Sequence, residues 1–183
     1  MSVTLIVIIA VAVLLVLWGI SVQNKLVRSD ELCKNALKQI NVQQVSRYDA
    51  LQALVKLTRE YASYEADTLQ KVIAERKVTS SAVPTVAEVD ANEAALRDIG
   101  AKLIAVAERY PELKADENYR QTMQSIEKYE ENVRLSRMTF NDTVTSFNRE
   151  VRMFPASLIA GLLGFAPREY LAEDTTKKDY PAI

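Results

Sequence analysis

Residues 117–155 read ENYRQTMQSIEKYEENVRLSRMTFNDTVTSFNREVRMFP. Tyr119, Met123, Ile126, Glu130, Val133, Arg137, Phe140, Val144, Phe147, Val151 and Phe154 recur in alternating steps of four and three. That spacing gathers one face of an α-helix and turns it toward partner helices. Only Glu130 and Arg137 on this face are neither apolar nor aromatic. The helix is expected to open at Asp116 or Glu117, and Pro155 stops it because proline lacks the N–H that the next turn needs. The fold class that follows is all-α, and no strand pattern or internal repeat accompanies it.

Two further helices precede this one. From Ser21 to Val83 the chain has no Gly and no Pro, so a single helix from Lys25 to Lys77, about 80 Å long, is expected. Its seam runs Cys33, Leu37, Ile40, Leu51, Leu54, Tyr61, Leu69 and Val72, interrupted by Gln44, Arg47, Thr58 and Glu65. Val78 to Pro84 (VTSSAVP) reads as a turn. Thr85-Val-Ala-Glu88 then fits a capping box, in which a threonine hydroxyl and a glutamate satisfy the first free amides of a helix. That second helix is expected over 86–109, with Leu96, Ile99, Leu103 and Val106 on one face and Gly100 allowing close backbone approach. Tyr110 and Pro111 shape its end, since a residue before proline avoids helical geometry.

At the other end, residues 3–20 (VTLIVIIAVAVLLVLWGI) carry no charge. At 1.5 Å per residue they span about 27 Å, the hydrocarbon thickness of a bilayer. A cleaved leader would have a basic start and a small-residue cleavage site, and neither is present. The stretch therefore reads as a membrane anchor. The flanking basic residues, Lys25, Arg28, Lys34 and Lys38, lie on its C-terminal side, which favours an external N-terminus and a cytoplasmic bundle at the cell (inner) membrane. A periplasmic or lumenal bundle is the alternative. The expected organisation is an anchor (1–22), an up-down-up antiparallel bundle with a very long first helix (23–166) and a polar, partly disordered tail (167–183). Within the second segment, ASLIAGLLGF (156–165) is too short to span a bilayer. It reads as a short helix capping the bundle. Alternatively Leu158, Ile159, Leu162, Leu163 and Phe165 form an interaction segment at a membrane interface or on a partner.

Composition narrows the chemistry. Across 183 residues, 23 basic side chains face 24 acidic ones, for a net charge of -1. Nucleic-acid binders usually carry a basic excess, so no nucleic-acid partner is expected. There is no histidine, and Cys33 is the one cysteine. The commonest general base, the commonest metal ligand and any internal disulfide are thereby absent. Four glycines leave little material for a phosphate-cradling loop. Neither catalytic nor metal nor cofactor-binding residues are assigned. Cys33 reads as a small core residue.

The charged seam positions are the most specific feature. Unpaired charges there cost several kcal/mol, so partners are expected. With the first and third helices parallel, Glu65 would reach Arg137. Such pairs form either a site within the bundle or, as buried polar residues do in coiled coils, a device that sets register. The register reading is adopted for Arg47, Asp49, Glu65, Glu130, Arg137 and Asn141.

Residues 35–77 resemble the first long helix of the LemA family, set directly after an N-terminal membrane helix. VAERYPELKADENY (106–119) is similar to that family's E-x-YPxLKAxxxF turn, with Tyr119 in the aromatic position. Arg137, Phe140, Asn141, Asp142, Val144, Phe147 and Asn148 stand where the family shows R-x-x-YN-x-x-V and YN, and Phe154-Pro155 and Gly164-Phe165 match its closing pairs. Two departures stand out. Gln52 replaces a family proline, which removes the kink expected there. Phenylalanine replaces both YN tyrosines. The resemblance implies an all-α bundle on one membrane helix without a settled enzymatic activity. One branch of the family, that of the magnetosome, is tied to the formation of a membrane organelle. The expected function is a membrane-anchored scaffold or assembly protein whose partners are the lipid bilayer, further copies of itself in a homo-oligomer, and other membrane proteins. The alternative is an adaptor or regulator of a membrane protease or transporter.

Overall fold

A computed structural model describes residues 3–75 and 84–172. Among these the helices are α1 (Val3–Thr58), α2 (Ser63–Glu75), α3 (Val86–Arg109), α4 (Pro111–Ala115), α5 (Glu117–Arg152) and α6 (Ala156–Leu163), with no strand. The chain is all-α. The turn expected at 78–84 lies outside the described residues apart from Pro84, and the tail is described only to Ala172.

The apolar opening of α1 is long and apolar enough to cross a membrane, and none of it is buried. The helix runs on through Gln52 without a break. It does not reach Lys77. At Arg59–Ala62 the chain turns, with the amides of Arg59, Glu60 and Tyr61 bonded three residues back and Ala62 bonded to the Thr58 carbonyl at 2.8 Å. No Gly or Pro causes this. The reason is packing: Leu69 and Ile73 join Leu51 and Leu54 in one core cluster. In a straight helix, Leu51 and Ile73 would lie about 33 Å apart. Folding back buries both ends of the seam, and Tyr48 Oη donates to the Ile73 carbonyl across the hairpin.

Two compact units divide the described chain. The larger comprises, among the described residues, those of Ala36–Thr139 together with Leu171 and Ala172. Within it, Gln44 and Arg47 pair with Val89 and Glu93, so α1 and α3 run the same way. Gln43 and Arg47 pair with Asn132 and Glu130, so α5 runs opposite to α1. With α2 folded back, this unit is an up-down-up-down four-helix bundle. The expected three-helix order lacked one reversal because it took α1 and α2 as one helix. Leu96, Ile99, Leu103 and Val106 are buried on α3 as expected. The Thr85–Glu88 capping box forms in both directions, at 3.2 and 2.7 Å. Gly100 differs from expectation: a Cβ there would meet nothing within 4 Å, so no close approach needs it.

The smaller unit comprises the residues up to Asn35 together with Phe140–Tyr170. Its core holds Leu26, Cys33, Phe140, Val144, Phe147, Val151 and Ala160. Gly164 ends α6 with φ 76°, a left-handed conformation that glycine adopts without Cβ strain.

Candidate functional site

The polar centre of the four-helix unit is built on one stripe of α1. Asn41, Gln44 and Arg47 continue the apolar row that Leu51 and Leu54 carry, and all three are buried. Arg47 spreads its guanidinium across two helices. Its Nη1 donates to Glu93 Oε1 and its Nη2 to Glu130 Oε2, both at 3.0 Å. The Arg47 and Glu93 side chains are only 3 % and 8 % exposed, whereas Glu130 is 52 % exposed. Glu93 also accepts from Gln44 Nε2 at 3.2 Å and from Arg97 Nε at 3.0 Å. Gln44 uses the same amide on the Val89 carbonyl at 2.9 Å.

Glu93 was not among the residues singled out from the sequence. Its signal was legible nonetheless, since Val89, Glu93 and Leu96 extend the α3 seam by steps of four and three. Two arginines and two glutamates cancel in charge and pair with one another, while Arg47 Nε, Gln44 Oε1 and Asn41 Oδ1 are buried without a hydrogen-bond partner. The cluster offers no nucleophile. What it can do is fix the register of α1, α3 and α5, because a one-turn slip would bury unpaired charge.

Glu65 and Arg137 do not pair. Glu65 accepts from Tyr110 Oη at 2.8 Å and lies 3.8 Å from the Arg109 guanidinium. Arg137 holds Asp90 at 2.8 Å and the Ala172 carbonyl at 2.7 Å. The expected pairing assumed a straight α1 parallel to the third helix. The fold-back of α2 and the antiparallel course of α5 remove that geometry.

The end of α3 forms a second polar knot. Tyr110, at φ -122° and ψ 85°, leaves helical geometry before Pro111, which opens α4. The hydrogen bond from Tyr110 holds the Glu65 carboxyl below its usual range, and the same bond raises the Tyr110 phenol. Tyr61 Oη donates to Asp116 at 3.1 Å, and Asp116 accepts from the Tyr119 amide at 2.8 Å at the start of α5. That amide bond, chiefly, lowers the Asp116 carboxyl. Asp49 is exposed and lines an open polar groove of about 480 Å³ with Ser46, Asn118, Gln121, Ser125 and Tyr129. Among the described residues, no three of His, Cys, Asp or Glu gather where they could hold a metal ion.

In the smaller unit, Asn148 clamps the backbone of Arg168 by donating to its carbonyl at 2.9 Å and accepting from its amide at 2.7 Å. The Arg168 guanidinium reaches Asp30 at 2.6 Å and lies 5.8 Å from the centre of the Phe147 ring. Burial alone would raise the Asp30 carboxyl, but Lys34 and Arg168 together hold it below its ordinary value. Burial raises the Cys33 thiol. Asn141 lies on α5, where its backbone carbonyl accepts from Thr145. Phe165 meets Phe147 edge to face at 6.3 Å. In the rest of the C-terminal apolar segment Ile159 is half-buried and the leucines are open. Leu158 and Leu162 are 60 % and 83 % exposed, Leu163 is exposed, and Ala160 is the buried residue of α6.

Sequence comparison finds relatives of this chain. The magnetosome proteins MamQ 1 and MamQ 2 of Paramagnetospirillum magneticum (strain AMB-1) are each 29 % identical to it over 72 residues, or 39 % of this chain. The chain spans about a quarter of the length of these curated relatives, since the aligned stretch is 26 % of each. The sequence profile of the LemA family matches residues 36–183, which takes in the polar centre, the Tyr110–Pro111 turn and the Asn148 clamp, and the chain belongs to that family.

Proposed function

We propose that this protein is a single-pass, membrane-anchored helical bundle that serves as an assembly module through self-association or contact with other membrane proteins. One observation carries the reading. The charges at the bundle centre are paired with one another, while the apolar start of α1 is exposed and uncovered. A bundle whose central charges are paired, attached to an apolar span, fits the holding of partners at a bilayer. The basic flank at Lys25, Arg28, Lys34 and Lys38 favours a cytoplasmic bundle and an external N-terminus. The likeness to proteins named for the magnetosome supports a role at a membrane.

The test is crosslinking of the full-length protein in intact membranes, followed by mass spectrometry of the purified adducts. A ladder built only of this chain is the expected result. Recovery of monomer alone would sink self-association. A reproducible protease or transporter in place of the ladder would make the protein an adaptor.

A further inference from the structure

The apolar residues that unit packing leaves open are not scattered. In the smaller unit all but Val27, Leu32 and Tyr170 fall on 3–20 and again on Met153, Phe154, Leu158, Leu162 and Leu163, with Phe154 at 79 % exposure. A large contiguous apolar patch is rare on a protein surrounded by water and marks a contact. Its position says with what. Lys25 Nζ lies 3.1 Å from Glu150, which sets the end of α5 beside the α1 residues just past the apolar span. The chain then turns back along that span. A Cβ on Gly19 would lie 3.8 Å from Ile159 Cδ1, so α6 packs at the level of Gly19. Between them runs a groove of about 240 Å³ whose lining includes Trp18, Val22, Leu26, Met153, Phe154 and Pro155. Indole rings favour the boundary between headgroups and acyl chains, and Trp18 stands at that depth if 3–20 spans the bilayer. Around it, Lys25, Arg28, Arg149 and Arg152 are exposed.

From this geometry we infer that the segment from Met153 to Leu163 is a second membrane contact. It lies in the headgroup–acyl boundary beside the anchor, with its apolar side chains in lipid and Arg28, Arg149 and Arg152 on anionic headgroups. A short helix with open leucines and a basic rim matches the physics of interfacial helices, in which buried apolar area and attraction to anionic lipid add. The capping role expected for this segment does not account for its open leucines, because α6 buries Ala160 and presents Leu158, Leu162 and Leu163 outward. The inference rests on the anchor reading, and the experiment separates the two.

The full-length protein, in a Cys33→Ala background, is reconstituted into vesicles of phosphatidylcholine and phosphatidylglycerol. Bimane is attached in turn at Leu162→Cys and Phe154→Cys, at Leu14→Cys in the apolar span, and at Lys128→Cys on exposed α5. Quenching is read with lipids spin-labelled near the headgroup, with lipids labelled deep in the acyl chain, and with aqueous iodide. The expected result is strong quenching of positions 162 and 154 by the shallow spin label, with iodide quenching several-fold below that at position 128. Position 14 should respond to the deep label. If position 14 does not respond, the anchor reading fails and this inference falls with it. If position 14 responds while 162 and 154 stay open to iodide, the anchor stands and the second contact is overturned. Shielding of 162 and 154 from lipid and iodide alike would also overturn it, in favour of cover by protein.

Discussion

Arg47 Nη1 and Glu93 Oε1 lie 3.0 Å apart in a bundle core where both side chains are almost wholly shielded from water. The pair has a partner network, since Glu93 also accepts from Gln44 and Arg97, and Arg47 also reaches Glu130. Removing one member strands the other in low dielectric. Arg47→Met and Glu93→Leu are therefore each expected to cost about 3–5 kcal/mol in denaturant melts of the full chain, and the double variant should recover most of that loss. Glu130→Ala removes the exposed arm of the same guanidinium and should cost about 0–1 kcal/mol. Equal effects for all three single variants would mean that burial does not govern this cluster.

The reversal at Arg59–Ala62 is open to a distance measurement. Asp49 and Lys71 are both exposed, and a straight helix would separate them by about 33 Å along its axis. Tyr48 bonds the Ile73 carbonyl, so spin labels at 49 and 71 should sit side by side. A single short distance by electron–electron resonance is expected. A dominant distance near the straight-helix value would restore the one-helix reading.

Where the sequence alone sufficed, a local rule was at work. The α3 start was legible because Thr85 and Glu88 satisfy amides within one turn, and its end because Pro111 constrains Tyr110. The α5 seam was legible because each buried position repeats one period. The reversal after Thr58 was not, because no residue there forbids a helix. The decision belongs to Leu69 and Ile73 packing on Leu51 and Leu54. The error in the site followed from that miss. Arg47 and Glu130 stood out as charges in a seam, but their pairing depended on helix direction, which a straight α1 gave wrongly.

The Asp30–Arg168 contact makes a pH prediction. Asp30 titrates below its ordinary value near about 3.9 because Lys34 and Arg168 favour the carboxylate more than burial disfavours it. A depressed carboxyl contributes stability above its unfolded pKa and loses it as pH falls through the folded one. The melting temperature of Asp30→Asn should therefore lie below that of the unaltered chain by a constant gap from about pH 8 to pH 5, and the gap should close below about pH 4. A gap of undiminished size at pH 3 would show that Asp30 acts through its shape and not through its charge.

The last prediction concerns how the chain after α6 is held. Gly164 releases the helix, and no regular structure follows it among the described residues, so the peptide groups beyond need partners from side chains. Asn148 supplies both a donor and an acceptor to Arg168 from a nearly buried position on α5. A carboxamide does both at once; an ionised aspartate keeps the acceptor and loses the donor, and alanine loses both. Asn148→Ala should therefore cost about 1–2 kcal/mol locally, which speeds exchange of the Arg168 amide by roughly five- to thirtyfold. Asn148→Asp sets a carboxylate oxygen against the Arg168 carbonyl and should exchange at least as fast at neutral pH. Its exchange, corrected for the intrinsic pH dependence, should slow once acid protonates that oxygen and restores a donor. If neither variant changes exchange at Arg168, then Asp30 and the Phe147 ring suffice to hold that residue, and the Asn148 clamp is dispensable.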